Sequence, residues 1–128
     1  MKKILINIAL FVIAIGLLST VGLFGLIYTI GLTIITFDRF SLFRYWGDLL
    51  YQINIGIDQI GNVLLGEFMN RYLIKNNKIH LFGKVDETIS YVIAKNRGNL
   101  TKFGYIIAWI LEKIDPGHLD KAIQFKED

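Results

Sequence analysis

The chain has 128 residues, 53% of them hydrophobic and 20% charged, with a net charge of +3 and no cysteine. Without cysteine there is no disulfide framework, and no thiolate to ligate a metal or attack a substrate. Basic and acidic residues are interspersed rather than blocked, which excludes the basic stripe that nucleic acid requires as a partner.

From Ile4 to Phe37 no residue is charged. A bilayer core takes about 20 apolar residues as a helix, so this run is long enough to enter one. As one straight helix it would reach roughly 50 Å, more than the usual tilt can bury. Folded in half, each leg would be too short for a full span. The reading adopted is a single span over about Ile4–Leu26, with the less apolar remainder (Tyr28, Thr29, Thr33, Thr36) at the interface. The alternative is a re-entrant hairpin turning at Ser19, Thr20, Gly22 and Gly25. Lys2 and Lys3 resemble the start of a signal peptide, but the apolar run outlasts a signal core of about 7–15 residues, so an uncleaved anchor is expected over residues 1–37. Arg39 and Arg44 balance the two lysines, so the charge rule for orientation is close to a tie.

Residues 38–48 hold Arg39, Phe40, Phe43, Arg44, Tyr45 and Trp46, a mixture that suits the headgroup region of a membrane. Residues 49–128 are expected to form a small helical domain, making the fold mainly α. Ile53, Ile57, Ile60, Leu64, Phe68 and Tyr72 recur at helical spacing and predict a well-buried helix over Leu49–Ile74. Asp58 and Asn62 share one of its faces, whereas Gly56, Gly61 and Gly66 share none. Asn76-Asn77 signals a turn, and Lys78–Lys84 a loop or short hairpin arm.

Asp86 is the expected N-cap of the next helix, with Ile89, Val92 and Ile93 as its apolar face and Gly98 as its end. Thr101 is expected to cap a further helix whose stripe is Phe103, Ile106, Ile107, Ile110, Leu111 and Ile114. That stripe is too short to span a bilayer and belongs to a core or an interface. Asp115-Pro116-Gly117 stops it, and His118–Phe125 makes a last short helix.

Three blocks, Ile57–Gly66 (IDQIGNVLLG), Asp86–Ser90 (DETIS) and Asp115–His118 (DPGH), resemble in order those of a family of small phage- and prophage-encoded membrane-associated proteins of unknown function. Members of that family carry the first two blocks nearly contiguous, where Glu67–Val85 intervenes here. They have proline where this chain has Val85, and several have cysteine in place of Leu119. The resemblance implies a bacterial inner membrane as the setting, and no chemistry.

Asp58, Asn62, Asp86, Glu87, Ser90 and His118 form the one constellation with chemical potential. His118 with Asp86 and Glu87 could ligate a divalent metal, although no paired-ligand helix motif is present. Ser90, His118 and an aspartate could form a nucleophilic triad, but Ser90 falls inside a helix rather than on a strained turn. The structural reading makes Asp86 a cap, pairs Asp58 and Asn62 with neighbouring backbone, and lets His118 anchor the last turn. The expected function is non-enzymatic interaction at the host envelope, in lysis or exclusion of other phages. The partners are the lipid bilayer and either an envelope protein or a second copy, with no cofactor. The rivals are a membrane-tethered enzyme or metal-binding protein, and a holin-like pore, which the lack of a polar face on Ile4–Phe37 weakens.

Overall fold

A computed structural model describes residues 1–36, 38–76 and 79–127. Among the described residues the fold is helical with no strand, and an isolated antiparallel bridge joins Ile74 to Leu100. The chain divides into two compact units, Met1–Asp48 and Leu49–Asp128.

In the first unit α1 (Lys2–Leu17) passes through a π turn (Leu18–Gly22) into α2 (Leu23–Thr36). The result is one helix of 35 residues, with a mean hydropathy of 2.6 across an 18-residue window and none of that window buried. It is long and apolar enough to cross a membrane. The hairpin alternative needs a turn at Ser19–Gly25, and the backbone there stays helical. The Ser19 hydroxyl donates to the Ile15 carbonyl at 2.6 Å and the Thr20 hydroxyl to that of Gly16 at 2.8 Å. Such back-bonding supplies partners to carbonyls next to a π turn, where the regular ladder is disturbed. The helix also runs unbroken past Leu26 to Thr36, so no kink separates the expected span from its remainder. Phe37, the last residue assigned to the anchor, lies outside the described residues.

Helix α3 (Arg39–Tyr72) begins well before the predicted start at Leu49. Asp38 is the reason: its Oδ1 accepts the Ser41 amide at 2.8 Å and its Oδ2 the Ser41 hydroxyl at 3.2 Å. These bonds, the Ser41 amide foremost, hold the Asp38 carboxyl below its ordinary pKa. The aromatic and arginine residues of 39–48 are therefore helical. Phe40 and Phe43 are exposed, the Arg44 guanidinium lies 5.9 Å from the Phe40 ring centre, and Tyr45 meets Trp46 edge-on at 6.0 Å.

In the second unit α3 is followed by an irregular segment, α4 (Ile89–Lys95), a 3-10 turn (Arg97–Asn99), α5 (Lys102–Ile114) and α6 (His118–Glu127). Asn77 and Lys78 of the expected turn and loop lie outside the described residues, and Ile79–Thr88 forms no strand. The core gathers Met69, Leu73, Ile74, Phe82, Val92, Ile93, Leu100 and Leu119, with α4 at its centre. Thr101 caps α5 as expected, accepting the Gly104 amide at 3.1 Å. The helix predicted to end at Gly98 stops at Lys95, because Asn96 turns its side-chain amide back onto the Val92 carbonyl at 2.8 Å. Gly98 lies within the 3-10 turn.

One burial expectation is overturned, that of a well-buried α3 stripe, while the α5 stripe, expected at a core or an interface, is mostly not core. The predicted stripe of α3 points outward: Ile57, Ile60 and Leu64 are 62%, 61% and 76% exposed, while Asn62, Gly66 and Met69 are buried. On α5 the buried face is Gly104 and Ala108, with Ile107 and Leu111 half-buried, and Phe103, Ile106, Ile110 and Ile114 are exposed. The cause is the irregular segment before α4. Its backbone amides and carbonyls need hydrogen-bond partners that no strand supplies, and the polar face of α3 provides them.

Candidate functional site

The inward face of α3 carries Asp58, Asn62, Gly66 and Asn70, each four residues from the next and so stacked along one side of the helix. Together they hold residues 82–90. Asn70 pairs with both backbone groups of Phe82, its Oδ1 accepting the amide at 2.8 Å and its Nδ2 donating to the carbonyl at 3.2 Å. Gly66 lets the two backbones touch, since a Cβ there would lie 2.8 Å from the Gly83 Cα. Gly83 itself turns the chain at φ 111°, a conformation that only glycine adopts freely. Asn62, fully buried, accepts the Gly83 amide at 3.0 Å and donates to the carbonyls of Lys84 (2.9 Å) and Glu87 (2.8 Å).

Asp58 completes the row. Its Oδ1 accepts the Ile89 amide at 3.1 Å, and its Oδ2 accepts the Ser90 amide at 3.3 Å and the Ser90 hydroxyl at 2.8 Å. A carboxylate from α3 thus serves the N-terminus of α4, where orphan amides and the helix dipole both favour negative charge. The local cap is Thr88, whose Oγ1 accepts the Tyr91 amide at 3.1 Å.

Asp86 is therefore not the cap that the sequence predicts. It lies before the helix and pairs with Lys126 of α6 at 2.5 Å, an interaction that lowers the Asp86 pKa and raises that of Lys126. Glu87 is buried at 5% exposure. Its oxygens receive His80 Nε2 at 2.9 Å and Lys84 Nζ at 3.0 Å, and the His80 ring stands edge-on to Tyr91.

His118 opens α6 with Nε2 3.1 Å from Ser90 Oγ and Nδ1 3.2 Å from Asp115 Oδ2. Asp115 is also held by Lys121 at 2.5 Å, and these two partners, Lys121 foremost, keep its carboxyl below the ordinary value. Sequence reasoning passes over Glu112, which anchors the turn before α6. Its Oε2 accepts the Gly117 amide at 2.8 Å and its Oε1 the Leu119 amide at 3.0 Å, which lowers its pKa. Asn70 is also missed, although it stands at multiples of four residues from Asp58 and Asn62, on the same helix face.

The structure thus brings together Asp58, Ser90, His118 and Asp115 beside a small cleft of about 80 Å³ lined by Tyr51, Ile55, Ala122 and Phe125. Asn62 lies on the same face of α3, while Asp86 and Glu87 are engaged with other partners. Among the described residues no group of three or more His, Asp or Glu side chains is placed to hold a metal.

The Ser90–His118–Asp115 distances fall within the reach of a nucleophile, its base and an orienting carboxylate. The serine has one proton, however. A carboxylate oxygen can only accept, so the 2.8 Å contact directs that proton to Asp58. His118 Nε2 lies 3.1 Å from the same oxygen, with the direction of that bond set by the tautomer of the ring. Ser90 is also 6% exposed. In this arrangement the four side chains act as a polar tie among α3, α4 and α6. The three blocks singled out in the sequence, Ile57–Gly66, Asp86–Ser90 and Asp115–His118, each contribute to this tie, through Asp58, Ser90, and Asp115 with His118. Comparison with protein-family profiles, curated proteins and solved structures finds no match to this chain.

Proposed function

We propose that this chain is a small, non-enzymatic integral membrane protein of phage or prophage type. It would be held in the bacterial inner membrane by Lys2–Thr36 and act through contacts that its C-terminal helical domain makes at the host envelope. The carrying observation is how the domain distributes its polar and apolar groups. Asp58, Asn62, Asn70 and Ser90 are spent on holding the fold, and Ile53, Ile57, Ile60 and Leu64 of α3 are left exposed. That row alternates spacings of four and three, the period at which one helix packs along another. It suits an envelope protein or a second copy of this chain. The resemblance of the three blocks to phage-encoded membrane proteins supports the source, and service in lysis or exclusion follows from that setting.

The test is purification of the tagged full chain from membranes in mild detergent, beside an Ile57→Asp/Leu64→Asp variant. The expected result is a stoichiometric partner or a homo-oligomer that the variant loses while its circular dichroism is unchanged. A monomer without partner that turns over an ester or peptide, with loss of turnover in Ser90→Ala, would overturn the reading.

A further inference from the structure

Helix α5 presents a second unpartnered face of different composition. Phe103, Ile106, Ile110 and Ile114 follow one another at spacings of three and four, Trp109 flanks them, and Trp109 and Ile114 are 64% and 78% exposed. Lys102 and Lys113 are exposed on the same side, Lys102 four residues before Ile106 and Lys113 four residues after Trp109. The only acid in this helix, Glu112, is turned to the amides of Gly117 and Leu119. A helix face with aliphatic residues, an amphipathic indole, long basic side chains and no free acid matches the boundary between lipid headgroups and acyl chains. The lysine stems can lie along the apolar surface while their ammonium groups reach lipid phosphates. The row on α3, by contrast, carries no charge between Ile53 and Leu64 except inward-facing Asp58, so it lacks this complementarity to a charged surface.

We propose that the α5 face docks on the surface of an anionic bilayer, with Phe103, Ile106, Trp109, Ile110 and Ile114 in the interfacial layer and Lys102 and Lys113 at the phosphates. The proposal rests on the anchor reading, because tethering through Lys2–Thr36 keeps the domain at high effective concentration beside lipid.

The test uses the full chain with Trp46→Phe, which leaves Trp109 as the one tryptophan of the two in the sequence. It is reconstituted into vesicles of phosphatidylcholine with or without phosphatidylglycerol, each prepared with and without acyl-brominated lipid. Flotation reports the anchor, and bromine quenching of Trp109 reports docking. The expected result is flotation in both compositions with blue-shifted, quenched emission, stronger in the anionic vesicles. Lys102→Glu/Lys113→Glu should reduce the docked-to-undocked ratio in anionic vesicles by at least about fivefold per lysine. Flotation with unquenched Trp109 would overturn docking and leave the anchor standing. Blue-shifted but unquenched emission would mean that protein covers the face, which also overturns the proposal. Failure to float would overturn the anchor and the docking together. Equal quenching of the charge-reversed variant would overturn the role given to anionic lipid.

Discussion

The Asp58 carboxylate and the Ser90 hydroxyl, 32 residues apart in sequence, meet at 2.8 Å. Through that contact and two backbone amides, one side chain of α3 joins the Thr88 cap in fixing the start of α4. Asp58→Ala should destabilise the folded domain by about 2 kcal/mol, by loss of a cap and exposure of Ser90 to an unpaired environment. Ser90→Ala should cost less, and the double variant should cost less than the sum. Urea unfolding of all four proteins checks this, and strict additivity would mean the two groups are uncoupled.

Asn62→Ala removes partners from one amide and two carbonyls in the buried segment before α4. A loss of roughly 3 kcal/mol is expected. Asn62→Asp should be at least as damaging, since its second oxygen would face the Lys84 and Glu87 carbonyls. A midpoint within error of the parent in either variant would show that water replaces these bonds.

The cap of α4 is tested by contrast. Thr88→Ala should cost about 1 kcal/mol. Asp86→Ala, which loses an exposed pairing with Lys126, should shift the melting temperature less than Thr88→Ala does. The reverse order would restore Asp86 as the cap.

Acid should weaken the domain. Glu112, Asp115 and Asp86 all have folded-state pKa values below the ordinary carboxylate range, because of amides at Glu112 and lysines at the other two. A depressed folded pKa contributes stability that is present above the unfolded value, about 4, and is lost as pH falls through the folded value. Melting temperature should therefore decline below about pH 5, and Glu112→Gln should flatten that decline while lowering stability at neutral pH. Unchanged melting between pH 6 and 3 would contradict the pairing described here. Lys95, raised by its bond to Glu127, and Lys126 act oppositely: their contribution is complete below the ordinary lysine value and fades as pH rises above it.

His118 divides the structural and chemical readings. As a member of the tie with Ser90 and Asp115, it should tolerate His118→Asn with a modest loss of stability. Zinc, manganese or magnesium should not raise the melting temperature, nor should a chelator lower it, because binding to the folded state alone would stabilise it with concentration. A metal-dependent rise that His118→Asn abolishes would replace the tie with a metal centre.

What the sequence determined by itself lies within about one helical turn, though not all that is local is read from it: Thr88 and Asn96, which begin and end α4, bond within four residues and are passed over. The uncharged run from Ile4 yields a long apolar helix, Thr101 caps α5, and Asp115-Pro116-Gly117 ends it. Periodicity located the helices, but it could not say which face of α3 turns inward, because an apolar row marks burial only if something apolar covers it. The tertiary structure decided that question, for the unpaired backbone of residues 82–90 requires the polar row Asp58, Asn62 and Asn70. It also decided which acid caps which helix. Asp58 serves α4 and Glu112 serves α6 from other parts of the chain, and a bond across 31 residues leaves no trace in local spacing.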